Sequence, residues 1–301
     1  MVSNESESRE IAYKTAFCLS VFFHCCSLST EMGGGSFSQP RKELPDNLNF
    51  VKCYRPRNRD VKHLRILLHG PVGAGKSSFI NSVESVLQGR VTGRALPDAI
   101  SGKSFTKKYL PYKFEKCPGN YYSFIFNDIM GFEQTDSGVH VEDIKLALSG
   151  HVQEAHKLDP QCPLSEGNPG YNSSPTLSDR VHVLVSVVPA GNVSLISDEI
   201  LEKMREVRLA ASEMGIPQLA ILTKVDEACP EVKADITEIY DNKYLKDQVN
   251  KFHLLLGIPL NCIFLVKNYS RENKTNDDTN TPIVCALKQI LLFGEDYLNS
   301  L

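Results

Sequence analysis

His69-Gly70-Pro71-Val72-Gly73-Ala74-Gly75-Lys76-Ser77-Ser78 is the stretch that decides how this chain is read. Within it Gly70, Gly75, Lys76 and Ser77 fill the pattern G-x-x-x-x-G-K-[S/T], a loop that cradles phosphate groups. The flanks agree with that reading. Leu64-Arg65-Ile66-Leu67-Leu68 is a short apolar run of the kind that forms a buried strand, and Ser77 to Val83 has helical spacing. Glycines at 70, 73 and 75 permit positive φ and let bare N–H groups approach phosphate oxygens where a Cβ would obstruct. The helix N-terminus behind the loop adds partial positive charge. Lys76 is expected to reach the β and γ phosphates, Ser77 to ligate magnesium, and Ala74 and Ser78 to complete the contact set.

Two further patterns lie at strand ends downstream. Tyr121-Tyr122-Ser123-Phe124-Ile125-Phe126-Asn127-Asp128 is an aromatic and β-branched run closing on an acid, and Ile129-Met130-Gly131 completes D-x-x-G. Asp128 is the candidate magnesium carboxylate, and Gly131 the residue whose N–H approaches a γ-phosphate. Leu219-Ala220-Ile221-Leu222 is another buried run, ending in Thr223-Lys224-Val225-Asp226. This T-K-x-D is a close variant of the guanine-reading N-K-x-D. A carboxylate at 226 accepts from the adjacent N1–H and N2–H2 of guanine, a donor pair that adenine lacks, while the stem of Lys224 covers the base. Thr106, between the first two motifs, is either a second magnesium and γ-phosphate ligand or an ordinary strand threonine. Asn268, after the run Asn261 to Val266, is a weaker base-contact candidate. Phe132 follows Gly131 where switch GTPases often carry a water-positioning glutamine, so weak intrinsic hydrolysis is expected, with Glu133 and Gln134 as geometric substitutes.

The 301 residues are 42% hydrophobic and 23% charged with a net charge of −3, an ordinary globular composition with no global basic field for nucleic acid. Lys103, Lys107, Lys108, Lys113 and Lys116 cluster locally, as a solvated face or an interaction surface. Nine scattered cysteines without C-x-x-C or Cys/His metal spacing fit reduced thiols in the cytosol. Residues 1–58 read as a disordered or poorly packed extension. Its apolar run Ala16 to Phe23 is too short to span a bilayer, and three glutamates crowd what would be a signal-peptide n-region. Residues 59–301 are expected to form one domain. Helices are expected over Val141–Leu158, Ser197–Met214, Asp235–Leu256 and Thr281–Leu298, with a long loop over Asp159–Ser178 and a strand over Val181–Val188.

The phosphate-loop string Gly70 to Ser82, Ser104-Phe105-Thr106-Lys107-Lys108-Tyr109, Asp128-Ile129-Met130-Gly131, Ser174 to His182 and Leu222-Thr223-Lys224-Val225-Asp226 together resemble the interferon-induced protein 44 family, over roughly residues 60–300. The resemblance implies a cytoplasmic, interferon-induced, GTP-binding protein associated with immune and antiviral responses. Members often carry an N-terminal TLDc-type domain, which residues 1–58 are too short to supply.

The expected fold is α/β, a three-layer P-loop NTPase of the Ras-like G-domain type with a mostly parallel sheet. The expected function is a GTP-dependent binding module with GTP or GDP and Mg2+ as ligands and a protein partner or second copy reading its state. An active GTPase completed by dimerisation or a partner, and an ATP-using P-loop enzyme, are the alternatives. Nucleic-acid binding and a transmembrane segment are not expected.

Overall fold

The computed structural model describes residues 43–95, 108–134 and 138–301. Its elements in chain order are helix α1 (Leu44–Cys53), strand β1 (Leu64–His69), helix α2 (Lys76–Gln88), strands β2 (Leu110–Cys117) and β3 (Asn120–Asp128), helix α3 (Val141–Leu148), strand β4 (Val183–Pro189), helix α4 (Asp198–Glu213), strand β5 (Gln218–Thr223), short helices α5 (Val225–Ala228) and α6 (Pro230–Ala234), helix α7 (Lys243–Leu256), strand β6 (Ile263–Leu265) and helix α8 (Asp277–Ser300).

The six strands form one sheet in the order β2-β3-β1-β4-β5-β6. Only β2 runs antiparallel, as a hairpin partner of β3; every other pairing is parallel. Strands covered on both faces need continuous apolar runs, and β1 and β4 are buried at every position. Helices α1, α2 and α8 pack together as one layer, while α3, α4 and α7 form the other. With β2 reversed at one edge and β1 central, this is the three-layer arrangement of a Ras-like G domain. The phosphate-loop helix covers an aromatic cluster in which Phe79 meets Phe126 edge-on at 5.8 Å and Phe114 contacts both Phe124 and Phe126.

Three sequence expectations shift. Leu44–Cys53, read as part of a disordered extension, is helical and docked with the residues that follow: Val51 is fully buried, Tyr54 Oη donates to Glu295 Oε2 at 2.8 Å, and Arg57 N donates to Glu295 Oε1 at 3.0 Å. Pro45 in the first turn and the buried face of Leu44 and Val51 are the local causes. The helix expected over Val141–Leu158 stops at Leu148, because Gly150 takes φ +84° and lies against Pro175 and Asp179. The helix expected from Asp235 is a 3-10 stretch to Tyr240, after which Asn242 caps α7 through its side chain.

All the parallel strands present their C-terminal ends to one edge of the sheet, where ligands of open α/β folds bind. There β1 runs into the phosphate loop, β3 ends on Asp128, β5 ends on Thr223, and the chain after β6 reaches Asn268.

Candidate functional site

The phosphate loop turns through three left-handed glycines, Gly70 at φ +143°, Gly73 at +72° and Gly75 at +90°. Gly70 is also forced by space, and Gly75 is tightly surrounded. A Cβ on Gly70 would lie 2.1 Å from the backbone oxygen of Val187, and one on Gly75 would lie 3.0 Å from Asn268 Nδ2. Gly73 has open room around its missing Cβ, so only its backbone conformation calls for glycine. Lys76 opens α2, is 4% exposed, and turns its ammonium back along the loop, donating to Gly70 O at 3.2 Å and Pro71 O at 2.9 Å. Ser77 Oγ donates to Asp128 Oδ2 at 2.6 Å, joining the first and second motifs through a fully buried carboxylate. Ser78 follows within the first turn of the same helix.

Gly131 and Phe132 are stitched directly onto the loop. Phe132 N donates to Gly70 O and Val72 N donates to Phe132 O, both at 3.0 Å, forming a parallel bridge between Pro71 and Phe132. Gly131 passes so close that a Cβ there would lie 2.6 Å from Val72 N. The Phe132 ring is 1% exposed and meets the His69 imidazole edge-on at 6.0 Å. Burial, and after it the nearby Lys76 charge, push the His69 pKa down to about 3, so the ring is neutral at physiological pH and shares a 2.8 Å hydrogen bond with Ser186 Oγ.

The third motif meets the first as well. Thr223 is fully buried and its hydroxyl donates to Ala74 O at 2.5 Å. Lys224 adopts φ +56°, which turns the chain off the strand, and its ammonium lies 3.9 Å from Glu227. Asp226 sits in the first turn of α5, half-buried. Beside it, Asn268 Nδ2 donates to Gly75 O at 3.2 Å. Pro71, Val72, Gly73, Gln134, Lys224 and Glu227 also border a cleft of about 290 Å³ reaching to the segment Ala190–Leu195 and the start of α4.

Every candidate among the described residues therefore collects at one edge of the sheet, and Thr106 lies outside them. What the sequence did not signal is the wiring between motifs. Asn268 and Gly75 are 193 positions apart, and no local pattern announces their contact. The burial of Phe132 was equally silent in the sequence. Ser77 and Asp128 offer a hydroxyl and a carboxylate side by side, a hard-oxygen pair of the kind magnesium takes.

The chain is thus a P-loop protein of the G-domain type by sheet order and loop geometry. It is a homologue of interferon-induced protein 44, being 33% identical to the Mus musculus protein over 255 residues, 84% of this chain and 60% of that one. The Homo sapiens protein is 32% identical over 87% of this chain and 58% of its own length, and Homo sapiens interferon-induced protein 44-like is 30% identical over 83% and 56%. The chain spans less than two thirds of the length of these curated relatives. No protein-family model matches it. Among solved structures it is similar to a probable GTP-binding protein engB, 13% identical with a TM-score of 0.41 over 79% of this chain and 99% of that one. At that score the fold assignment rests on this chain's own geometry. Among the described residues no helix is long and apolar enough to cross a membrane.

Proposed function

We propose that the chain is a guanine-nucleotide-binding module whose phosphate loop, D-x-x-G segment and T-K-x-D turn read a single bound GTP or GDP. The observation that carries this reading is the convergence of the three motifs. Ser77 is bonded to Asp128, Phe132 to Gly70, and Thr223 to Ala74, so residues scattered over more than 150 positions share one loop.

In this reading the N–H groups of residues 73–78 and the Lys76 ammonium receive the phosphates, and Ser77 with Asp128 would hold Mg2+. Bound there, the ion would neutralise charge on the β and γ phosphates. Asp226 accepts from guanine N1–H and N2–H2, and Lys224 covers the base. Thr106 and Asn268 belong to the same proposed set.

Hydrolysis by this chain alone is proposed to be weak. Phe132 carries no polar atom on its ring and is packed inward, and the exposed Gln134 borders the cleft rather than replacing it in the bridge to Gly70. By homology we further propose that the protein is interferon-induced, cytoplasmic and part of an antiviral immune response, with a protein partner or second copy reading its nucleotide state.

Calorimetric titration of the full chain with GDP, a non-hydrolysable GTP analogue and an ATP analogue, each with Mg2+, tests the reading. Guanine-selective binding that Asp226→Ala weakens by roughly a hundredfold is the expected result, since a paired charged hydrogen bond is worth about 1.5–3 kcal/mol. Equal binding of ATP, or no nucleotide binding, would overturn it.

A further inference from the structure

Ala190–Leu195 is a 3-10 stretch between β4 and α4. Three residues complete a turn of such a helix, so Ala190 and Val193 share a side, and both are buried. Leu195 falls off that side and is 75% exposed. It also walls the cleft of about 290 Å³ beside the phosphate loop, where Val72, Pro189, Ile196 and Ile200 supply the other apolar surfaces. A large apolar side chain thus protrudes from the rim of a hole with the chemistry to receive one.

The surroundings of Leu195 carry both signs of charge. Glu227, on α5, lines the same cleft with its side chain 70% exposed, and its carboxylate lies 3.9 Å from Lys224 Nζ, longer than a hydrogen bond. Lys251, on α7, is exposed and reaches Ser194 Oγ, one residue before Leu195, at 3.3 Å. Helices α5 and α7 both pack against Ala190–Leu195, so acid, base and leucine belong to one surface.

A protrusion beside its own receptor is the pattern of a contact between identical patches. Across a two-fold axis, residue i of one copy meets residue j of the other and j meets i. A patch of one sign would repel itself there, whereas one that holds an acid and a base is electrostatically self-complementary. A small apolar ligand would account for the cleft and leave Leu195 and the flanking charges without a role. We infer that this surface is a homodimer interface, in which two copies of the chain pair about a two-fold axis, each seating Leu195 in the cleft of the other and setting Lys251 opposite Glu227. The contact needs no nucleotide, so it stands or falls apart from the reading above.

Sedimentation equilibrium of the full chain tests it. Small interfaces bind weakly, so wild type is expected to dimerise with a dissociation constant in the micromolar range. Leu195→Asp is expected to raise that constant at least about a hundredfold, because each dimer withdraws two leucines from apolar clefts. Glu227→Lys and Lys251→Glu each set like charges opposite one another twice per dimer and weaken it by about tenfold. The variant carrying both reversals restores the pairs and returns to within about threefold of wild type. Circular dichroism melts identify any variant that fails to fold, and Leu195→Ser takes the place of Leu195→Asp if that one does. A chain that stays monomeric up to about tenfold above that range overturns the inference. So does a dimer indifferent to Leu195→Asp, which would lie on another face. A double reversal as weak as the single ones refutes the pairing of 251 with 227, and with it the two-fold arrangement.

Discussion

Phe132→Gln places a glutamine where nucleotide-hydrolysing relatives of this fold class often have one, and the structure makes its outcome specific. The ring is 1% exposed, so the substitution loses burial worth about 1.5–3 kcal/mol. It loses the edge-on contact with His69, worth about 0.5–1.5 kcal/mol, and inserts an amide whose surroundings are the His69 ring and the apolar core, at about 1–3 kcal/mol. The methylenes of glutamine recover part of the first loss. The net expectation is destabilisation by about 4 kcal/mol, or a melting temperature lower by about 10 °C for a domain of this size. The backbone bonds from residue 132 to Gly70 and Val72 do not depend on the side chain, so the segment stays paired with the phosphate loop and hydrolysis does not rise. Urea denaturation gives the first quantity and a phosphate-release assay with GTP the second. A variant within 1 kcal/mol of wild type that turns over GTP tenfold faster would refute the reasoning, because the side chain at 132 would then have to leave the core and reach the nucleotide.

Other substitutions separate space from conformation. Gly70→Ala is expected to cost at least about 3 kcal/mol, since its Cβ meets the backbone of β4 in addition to the strained φ, whereas Gly73→Ala, with open space, costs about 1–2 kcal/mol; equal costs in chemical denaturation would contradict this. Val51→Ala on α1 is expected to lower stability by about 2 kcal/mol, and a neutral result would mean that α1 is not part of the folded core. Stability should also fall between pH 7 and pH 5. Burial holds His69 down to about 3 and His182 down to about 4, both below the unfolded value, so their contribution is complete above pH 6.5 and lost as the pH falls toward those folded values. Each is expected to remove roughly 2 kcal/mol by pH 5, and Ser186→Ala, which takes the partner from His69, leaves the His182 share in place. Glu272, held down to about 2 chiefly by its bond from Lys267 working against desolvation, gives way only below about pH 4.5, so it does not obscure that window.

The particular elements show where sequence reasoning reached and where it stopped. Apolar runs at β1, β4 and β5 and the glycine spacing of the phosphate loop depend only on neighbours in the chain, because burial on both faces and positive φ select residue types locally. From them the α/β class, the mostly parallel sheet and three motif positions follow. The docking of α1 against Glu295 does not, since an amphipathic ten-residue helix acquires its partner only when α8 is in place. Nor does the inward turn of Phe132, which is decided by the bridge between residues 71 and 132 and by the His69 ring beneath it. The grips of Thr223 and Asn268 on Ala74 and Gly75 belong to the same class. Sequence alone marked which residues are candidates for phosphate and base recognition, through local backbone and donor–acceptor requirements. Tertiary structure alone decided which of them touch, because strand order brings together carbonyls and side chains whose separation along the chain leaves no periodic trace.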